Sequence, residues 1–309
     1  MTTELTSYAE DTALYSDKPR LDRWLRRLYP HLTQGFIEKS LRQGKILLNG
    51  KKAKASSRVN AEDNVEINQT LDLTIEDAVL SAADSYTDAE IAALKAFILW
   101  EDDDICVLNK PHGLATQGGT KTYRHLDGLL QAYGRGKPFK LVHRLDRDTS
   151  GVLIVAKTAE MASKLSNDFK FNRIKKIYWA VVRGTPKPTS GCIDVPIGKE
   201  TFQGQERMVV SHDHGKPART NYKVLGMVDQ DSSWVELRPE TGRTHQIRVH
   251  LLSIGHPIIG DMKYGWTKDS WDEGKKNLHL HARQITITSR TGEILTFTAP
   301  PPPHMIELV

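Results

Sequence analysis

The sequence predicts an α+β protein in two unequal parts, and three observations lead there. Strand-like segments recur from residue 105 onward, separated by long loops rather than the regular helical crossovers of a doubly wound sheet. Formal charge reverses sign near residue 60. At 309 residues the chain has room for about two domains. The sequence therefore divides into a small basic module, an acidic connector and a larger sheet domain.

In chain order, residues 1–17 carry Glu4, Glu10, Asp11 and Asp17 with no Lys or Arg, and no apolar core follows a basic end. They are expected to be a tail rather than a secretory or mitochondrial leader. From Lys18 to Asn60, twelve basic residues face only Asp22 and Glu38. Leu21, Trp24, Leu25 and Leu28 fall at i, i+3, i+4 and i+7, which predicts a helix with Arg23, Arg26 and Arg27 facing water. A second short helix is expected near Gly35–Gln43, burying Phe36, Ile37 and Leu41 and stopping at Gly44. KILLNGKKAK then predicts a strand, an Asn49-Gly50 turn and a basic return strand. Together Arg20, Arg23, Arg26, Arg27, Lys39, Arg42, Lys45, Lys51 and Lys52 make a surface suited to phosphate oxygens. Binding there would be salt-sensitive and largely blind to base sequence.

Residues 61–104 hold thirteen acids against Lys95, and 69–96 are expected to be a weakly helical acidic linker. Strands are predicted at 105–110, 151–157, 175–182, 234–238, 279–288 and 294–299. Helices are predicted at 159–170, where Met161, Leu165 and Phe169 sit four apart, and at 245–254, where Ile247, Leu251 and Ile254 share a face. The proline run near residue 300 is expected to be a surface tail incompatible with helix. No stretch approaches the roughly 20 apolar residues that span a bilayer, so no membrane association is expected. Two cysteines, Cys106 and Cys192, cannot form a disulfide framework or a four-cysteine zinc site, and point to a reducing cytoplasm.

The densest polar cluster is LVHRLDRDTSGVLIVAK, residues 141–157, where His143, Arg144, Asp146, Arg147, Asp148, Thr149 and Ser150 lead into an apolar strand. Such a loop at a strand end is where a rigid scaffold holds reactive groups, although its Asp and Thr would also suit a plain turn. HRLDRDTSG resembles the catalytic loop of the Rlu-type ribosomal RNA pseudouridine synthases. Three further segments agree in order: NKPHGLATQGG (109–119), KKIYWAVVRG (175–184) and ELRPETGRTHQIRVHLLSIGHPIIGD (236–261). Residues 18–68 resemble the S4-type RNA-binding domain, and a basic module ahead of this catalytic domain is the arrangement of the RluC-like branch.

The resemblance implies a pseudouridine synthase fold over 97–309, with a mixed, mainly antiparallel sheet and flanking helices. It implies Asp146 as the catalytic carboxylate, Tyr178 as the active-site tyrosine and Arg243 as the arginine that pairs with the aspartate. Arg248 is a second candidate for that pairing, less favoured on helical phase. Arg144 and Lys176 are expected to touch RNA, Lys176 because it shares a strand face with Tyr178. The implied partner is large-subunit ribosomal RNA or a pre-ribosomal particle, served by a monomer. Transfer RNA is the alternative substrate, and a non-catalytic RNA-binding assembly factor is the alternative class. Isomerising uridine needs no redox change or group donor, so no cofactor is expected. His212 with His214, and His279 with His281, are i, i+2 pairs, but no cysteine pair or His-Glu-x-x-His helix joins them, so no metal is expected either. Gly118-Gly119, Gly134 and Gly136 form no nucleotide-binding fingerprint. His143, His245 and His250 are expected to be hydrogen-bonding structural residues near the site.

Overall fold

A computed structural model describes residues 2–4, 18–29, 32, 34–68, 86–118, 122, 124–134, 139–202, 204–265 and 277–306. The chain falls into two compact units that divide between Asp88 and Ala89.

In the first unit the elements run β1 (Thr2–Glu4), α1 (Leu21–Leu28), α2 (Gln34–Gln43), β2 (Ile46–Leu48), β3 (Lys51–Lys52) and β4 (Val65–Asn68). The strands form an antiparallel sheet in the order β1-β4-β2-β3. Leu21, Trp24 and Leu25 on α1 pack with Ile37, Leu41, Ile46, Val59, Val65 and Ile67, so the apolar stripe read at helical spacing is the core of this unit. Asn49 and Gly50 turn the hairpin with φ of 54° and 71°, the left-handed pair that a two-residue turn requires. Arg23, Arg26, Arg27, Lys39, Arg42, Lys51 and Lys52 are exposed, and Lys45 is half-buried. Arg20 differs from its basic neighbours, because Nε and Nη2 donate to both carboxylate oxygens of buried Asp22 at 3.1 and 2.8 Å.

The acidic segment expected as a weakly helical linker spans 69–96. Residues 69–85 lie outside the described residues, whereas Asp88–Lys95 form helix α3. The second unit continues with β5 (Ile98–Glu101), β6 (Ile105–Lys110), α4 (Leu126–Gly134), β7 (Lys140–Leu141), β8 (Ser150–Ala156) and α5 (Ala159–Lys170). Then come β9 (Lys175–Arg183), β10 (Ser190–Asp194), β11 (Ile197–Phe202), β12 (Gln205–Val210), β13 (Arg219–Asp229) and β14 (Ser232–Pro239). The described part closes with α6 (Gln246–Ser253), β15 (Leu280–Thr288), β16 (Ile294–Thr298) and α7 (Pro303–Ile306). The main sheet runs β10-β13-β14-β9-β15-β8-β6-β5, with β16 paired to β15 and β7 to β8. Only the β8–β15 pair is parallel; every other pair in it is antiparallel.

Strand β8 is buried along its whole length. Helix α5, capped by the Thr158 hydroxyl on the Met161 N–H, lays Met161 and Leu165 against Val152 and Ile154. Helix α6 brings Ile247 and Leu251 onto Ala180, Val182, Val235 and Leu237 of β9 and β14. The proline tail departs from expectation. Ala299 and Met305 are fully buried, Met305 against Val181 and Ile259, and α7 opens on Pro303. Proline is tolerated in the first turn of a helix, where no N–H partner is required.

Gly151 opens β8 at φ 112°, and a Cβ there would overlap the carbonyl of Ala282 on the parallel neighbour. Close approach of β15 therefore demands glycine at the end of the 142–149 loop. Gly151→Ala is expected to lower unfolding free energy by at least about 3 kcal/mol in urea titrations. Gly292→Ala, which has φ 90° but open space around it, should cost about 1 kcal/mol.

Candidate active site

The loop between β7 and β8 is held from two sides. Thr116 Oγ1 donates to the Leu145 carbonyl at 2.7 Å. Lys110, at the end of β6, is wholly buried and Nζ donates to the carbonyls of Pro111, Leu114 and Arg147 at 2.9, 2.7 and 2.9 Å. Burial pulls the Lys110 pKa down to about 7, against the pull of Asp148 and Asp146. Three carbonyl acceptors nevertheless match the three N–H groups of the ammonium form, and they bind the 110–114 segment to the loop that carries Asp146. At the other end Ser150 Oγ lies 2.9 Å from His281 Nδ1, whose Nε2 faces the Ala299 carbonyl at 3.1 Å. That carbonyl, which also accepts from Arg283, can only accept, so His281 is the neutral Nε2–H tautomer and Ser150 donates to Nδ1.

Asp146 stands between these clamps with 21% of its side chain exposed. Its cation is Arg248, with Nη1 at 3.4 Å from Oδ2. Arg243, the arginine favoured on sequence, instead donates Nε to the Pro217 carbonyl at 3.1 Å. The physical reason is a break in phase. His245 takes a left-handed conformation (φ 53°) at the start of α6, so helical phase cannot be carried from Arg243 into the helix. Residues 246–251 are moreover all buried, so no alternation of buried and exposed positions marks the direction of Arg248.

What holds Arg248 is Asp261, 1% exposed, which accepts from Nε and Nη2 at 2.7 Å each. Asp261 also accepts the backbone N–H groups of Lys263 and Tyr264. The guanidinium lies over the Tyr264 ring, 4.9 Å from its centroid. Tyr264 Oη accepts the Met208 N–H at 3.2 Å and sits 2.6 Å from His245 Nδ1. The phenol therefore donates to Nδ1, which leaves the His245 proton on Nε2, 3.7 Å from Asp146. Burial lowers the His245 pKa and keeps the ring neutral, although Asp146 opposes the shift.

On the other side of Asp146 a cavity of about 150 Å³ is lined by Leu145, Lys176, Tyr178, Ile247 and Leu280. Lys176 and Tyr178 project from one face of β9, as the alternation predicted. Burial, then the nearby Asp146 charge, pushes the Tyr178 phenol well above its ordinary pKa, so it stays neutral. Arg144 is exposed at the rim. Of the other histidines, His143 Nε2 accepts the Ile154 N–H at 2.9 Å and its ring stacks on Phe169. His250 Nδ1 meets Thr220 Oγ1 at 2.9 Å. His212 and His214 are exposed, and His279 lies against the carbonyls of Ile259 and His304. Among the described residues no three His, Cys, Asp or Glu side chains are placed to share a metal ion. The sequence reasoning missed Asp261, Tyr264 and Lys110. Its available signal was that a buried Arg248 must find a carboxylate, but the burial of six successive residues of α6 is not written in its periodicity.

The family model described as RNA pseudouridylate synthase matches residues 104–253, and the S4 domain model matches 19–65. The ribosomal large subunit pseudouridine synthase C of Rickettsia bellii is 41% identical over 276 residues, covering 88% of this chain and 90% of that protein. This chain belongs to the RNA pseudouridylate synthase family. The protein of the same name from Escherichia coli is 35% identical over 91% of this chain and 89% of its own length. The structure of human RNA Pseudouridylate Synthase Domain Containing 4 superposes with a TM-score of 0.60 at 28% identity, covering 74% of this chain and 95% of that one. The protein is thus an RNA pseudouridine synthase that carries an S4 domain ahead of its catalytic domain. The α+β expectation and the mainly antiparallel sheet hold for this family member.

Two tests follow from this geometry. Arg248→Gln should lower kcat by about a hundredfold or more, because it removes the cation at Asp146 and strands buried Asp261, whereas Arg243→Gln should stay within about fivefold. His281 is fully buried, and burial lowers its pKa from 6.5 to about 4. Below pH 6.5 the unfolded chain therefore takes up a proton that the fold refuses. The associated stability is complete above 6.5 and is lost as pH falls toward 4, at about 1.4 kcal/mol per pH unit. Urea unfolding of His281→Gln should show a pH slope shallower by that amount over the same window.

Proposed function

We propose that this enzyme isomerises uridines of large-subunit ribosomal RNA, and that Asp146 is the carboxylate that acts on the target nucleotide. The substrate reading rests on the similarity to proteins named for the ribosomal large subunit, which extends over about nine-tenths of both chains. The observation that carries the site is a single accessible carboxylate at the mouth of a cavity floored by an aromatic ring, with a guanidinium braced behind it.

The reaction breaks C1′–N1 of the nucleotide, turns the uracil and joins C1′ to C5. The C5 hydrogen leaves as a proton and N1 gains one, so atoms balance without an external reagent. Loss of the base builds positive character on the sugar, which an ionised carboxylate stabilises. From the same position Asp146 can bond to C1′, take a sugar proton or add to the pyrimidine. A uridine in folded RNA must first leave its stack, which costs on the order of a few kcal/mol. Stacking on Tyr178 returns about 1–3 kcal/mol of this. On this reading the Tyr178 hydroxyl assists loss of the C5 proton as a neutral hydrogen-bonding relay, and Lys176 and Arg144 contact the nucleotide. Arg23, Arg26, Arg27, Lys39, Arg42, Lys45, Lys51 and Lys52 of the S4 domain hold surrounding RNA through its phosphates. The protein would act as a cytoplasmic monomer; its buried Cys106 and exposed free Cys192 suit a reducing compartment.

Tritium release from ribosomal RNA labelled at uridine C5 is the test. Wild-type protein should release label stoichiometrically with the modified uridine, and Asp146→Asn should release none while binding the RNA within about threefold. Release only from transfer RNA would refute the substrate, and an active Asp146→Asn would refute the carboxylate.

A further inference from the structure

A second cavity, of about 480 Å³, adjoins the one lined by Tyr178. The two share Arg144, Asp146, His245 and Arg248, so Asp146 divides one cleft into two lobes. Lobe character differs. Leu145, Tyr178, Ile247 and Leu280 give the first apolar walls. The second is lined by His112, Arg147, Asp148 and Lys263 as well as Arg144.

Cations outnumber carboxylates in the second lobe, with Arg144, Arg147, Arg248 and Lys263 against Asp146 and Asp148. Arg248 is neutralised by its two bonds to Asp261. Asp148 stands 4.0 Å from Arg147, whose Nε is spent on the Gly113 carbonyl while the rest of its fork is exposed. Lys263 Nζ makes one bond, to the Glu206 carbonyl at 3.1 Å, and keeps two N–H groups for another acceptor. Arg144 is exposed beside them.

We infer that this second lobe is a phosphate subsite that takes a backbone phosphodiester flanking the target uridine. The inference rests on the proposed RNA reaction and follows from the shape of a nucleotide. If C1′ is brought to Asp146 with the base in the Tyr178 lobe, the sugar lies at the divider and a flanking phosphate leaves on the opposite side. There Lys263, Arg147 and Arg144 supply charge. Holding the phosphate fixes the sugar against Asp146 while the detached base turns, a positioning role that the base pocket alone cannot supply.

The experiment pairs Lys263→Met with an RNA fragment bearing the mapped target uridine, in which each flanking phosphate in turn is replaced by a neutral methylphosphonate. For wild-type protein one of the two replacements should raise KM about tenfold. Lys263→Met should show a similar rise with the natural RNA, no further rise with that methylphosphonate, and a salt slope of binding lower by about one. Arg147→Gln, on an exposed side chain, repeats the test if Lys263→Met unfolds at a lower temperature. Independent, multiplying losses overturn the subsite, as does no loss at either phosphate. Competitive inhibition by inorganic phosphate with no methylphosphonate effect also overturns it, since it would mark a site for free anions. Filter binding reads the phosphate contact without turnover. A wild type that binds with this pattern but releases no tritium would therefore sink the proposed reaction and spare the subsite.

Discussion

Everything at this site leans on the pair formed by Arg248 and Asp261. Two bonds of 2.7 Å join side chains that are 8% and 0% exposed. Burying two ions costs several kcal/mol each before their attraction is counted, so a pair like this is weak evidence for stability. Its value lies in direction. The carboxylate of Asp261 fixes the plane of the guanidinium, the Tyr264 ring supports one face, and the remaining corner of the fork reaches Asp146. Removing either partner leaves an unpaired charge in the protein interior, which costs about 3–5 kcal/mol.

The sheet supplies the opposite wall. Strand β8 is flanked by β6 and β15 and covered by α5, so the end at which the Asp146 loop enters cannot drift. The parallel contact with β15 is tight enough that only glycine fits at position 151. Lys110 then joins that loop to the next one through three carbonyls. Loop conformation is thus set by backbone contacts to rigid strands, which keeps side chains such as Arg144 and Arg147 available for RNA.

Much of this was legible in the sequence, and the parts that were not share a cause. The stripe Leu21, Trp24, Leu25, Leu28 gave α1, and the helix 159–170 and the strand 105–110 lie where spacing placed them. Asp146, Tyr178 and Lys176 lie around one cavity as the motif resemblance implied. Arg243 was ranked ahead of Arg248 on helical phase, and the order is reversed because a left-handed residue between them resets that phase and sequence periodicity carries no sign of it. Strands β10 and β13 were missed for a different reason. Edge and near-edge strands with mixed exposure, such as Arg219–Asp229, lack the alternation that marks a half-buried strand. The proline tail shows a local rule overruled by burial of a single methionine.

The arrangement also resolves a tension in the chemistry. A carboxylate locked in a close, two-bond ion pair would be ionised but held away from substrate, whereas an isolated one would be free but poorly oriented. Asp146 has neither problem. Its contact to Arg248 is a single bond of 3.4 Å to a guanidinium whose charge is already met by Asp261. The neutral His245 ring, held in its tautomer by Tyr264, stands 3.7 Å away without adding a full charge. Both neighbours approach the same oxygen, Oδ2. In the proposed reaction the other oxygen is thus free to meet the nucleotide, and the bond that orients the carboxylate need not break for it to act.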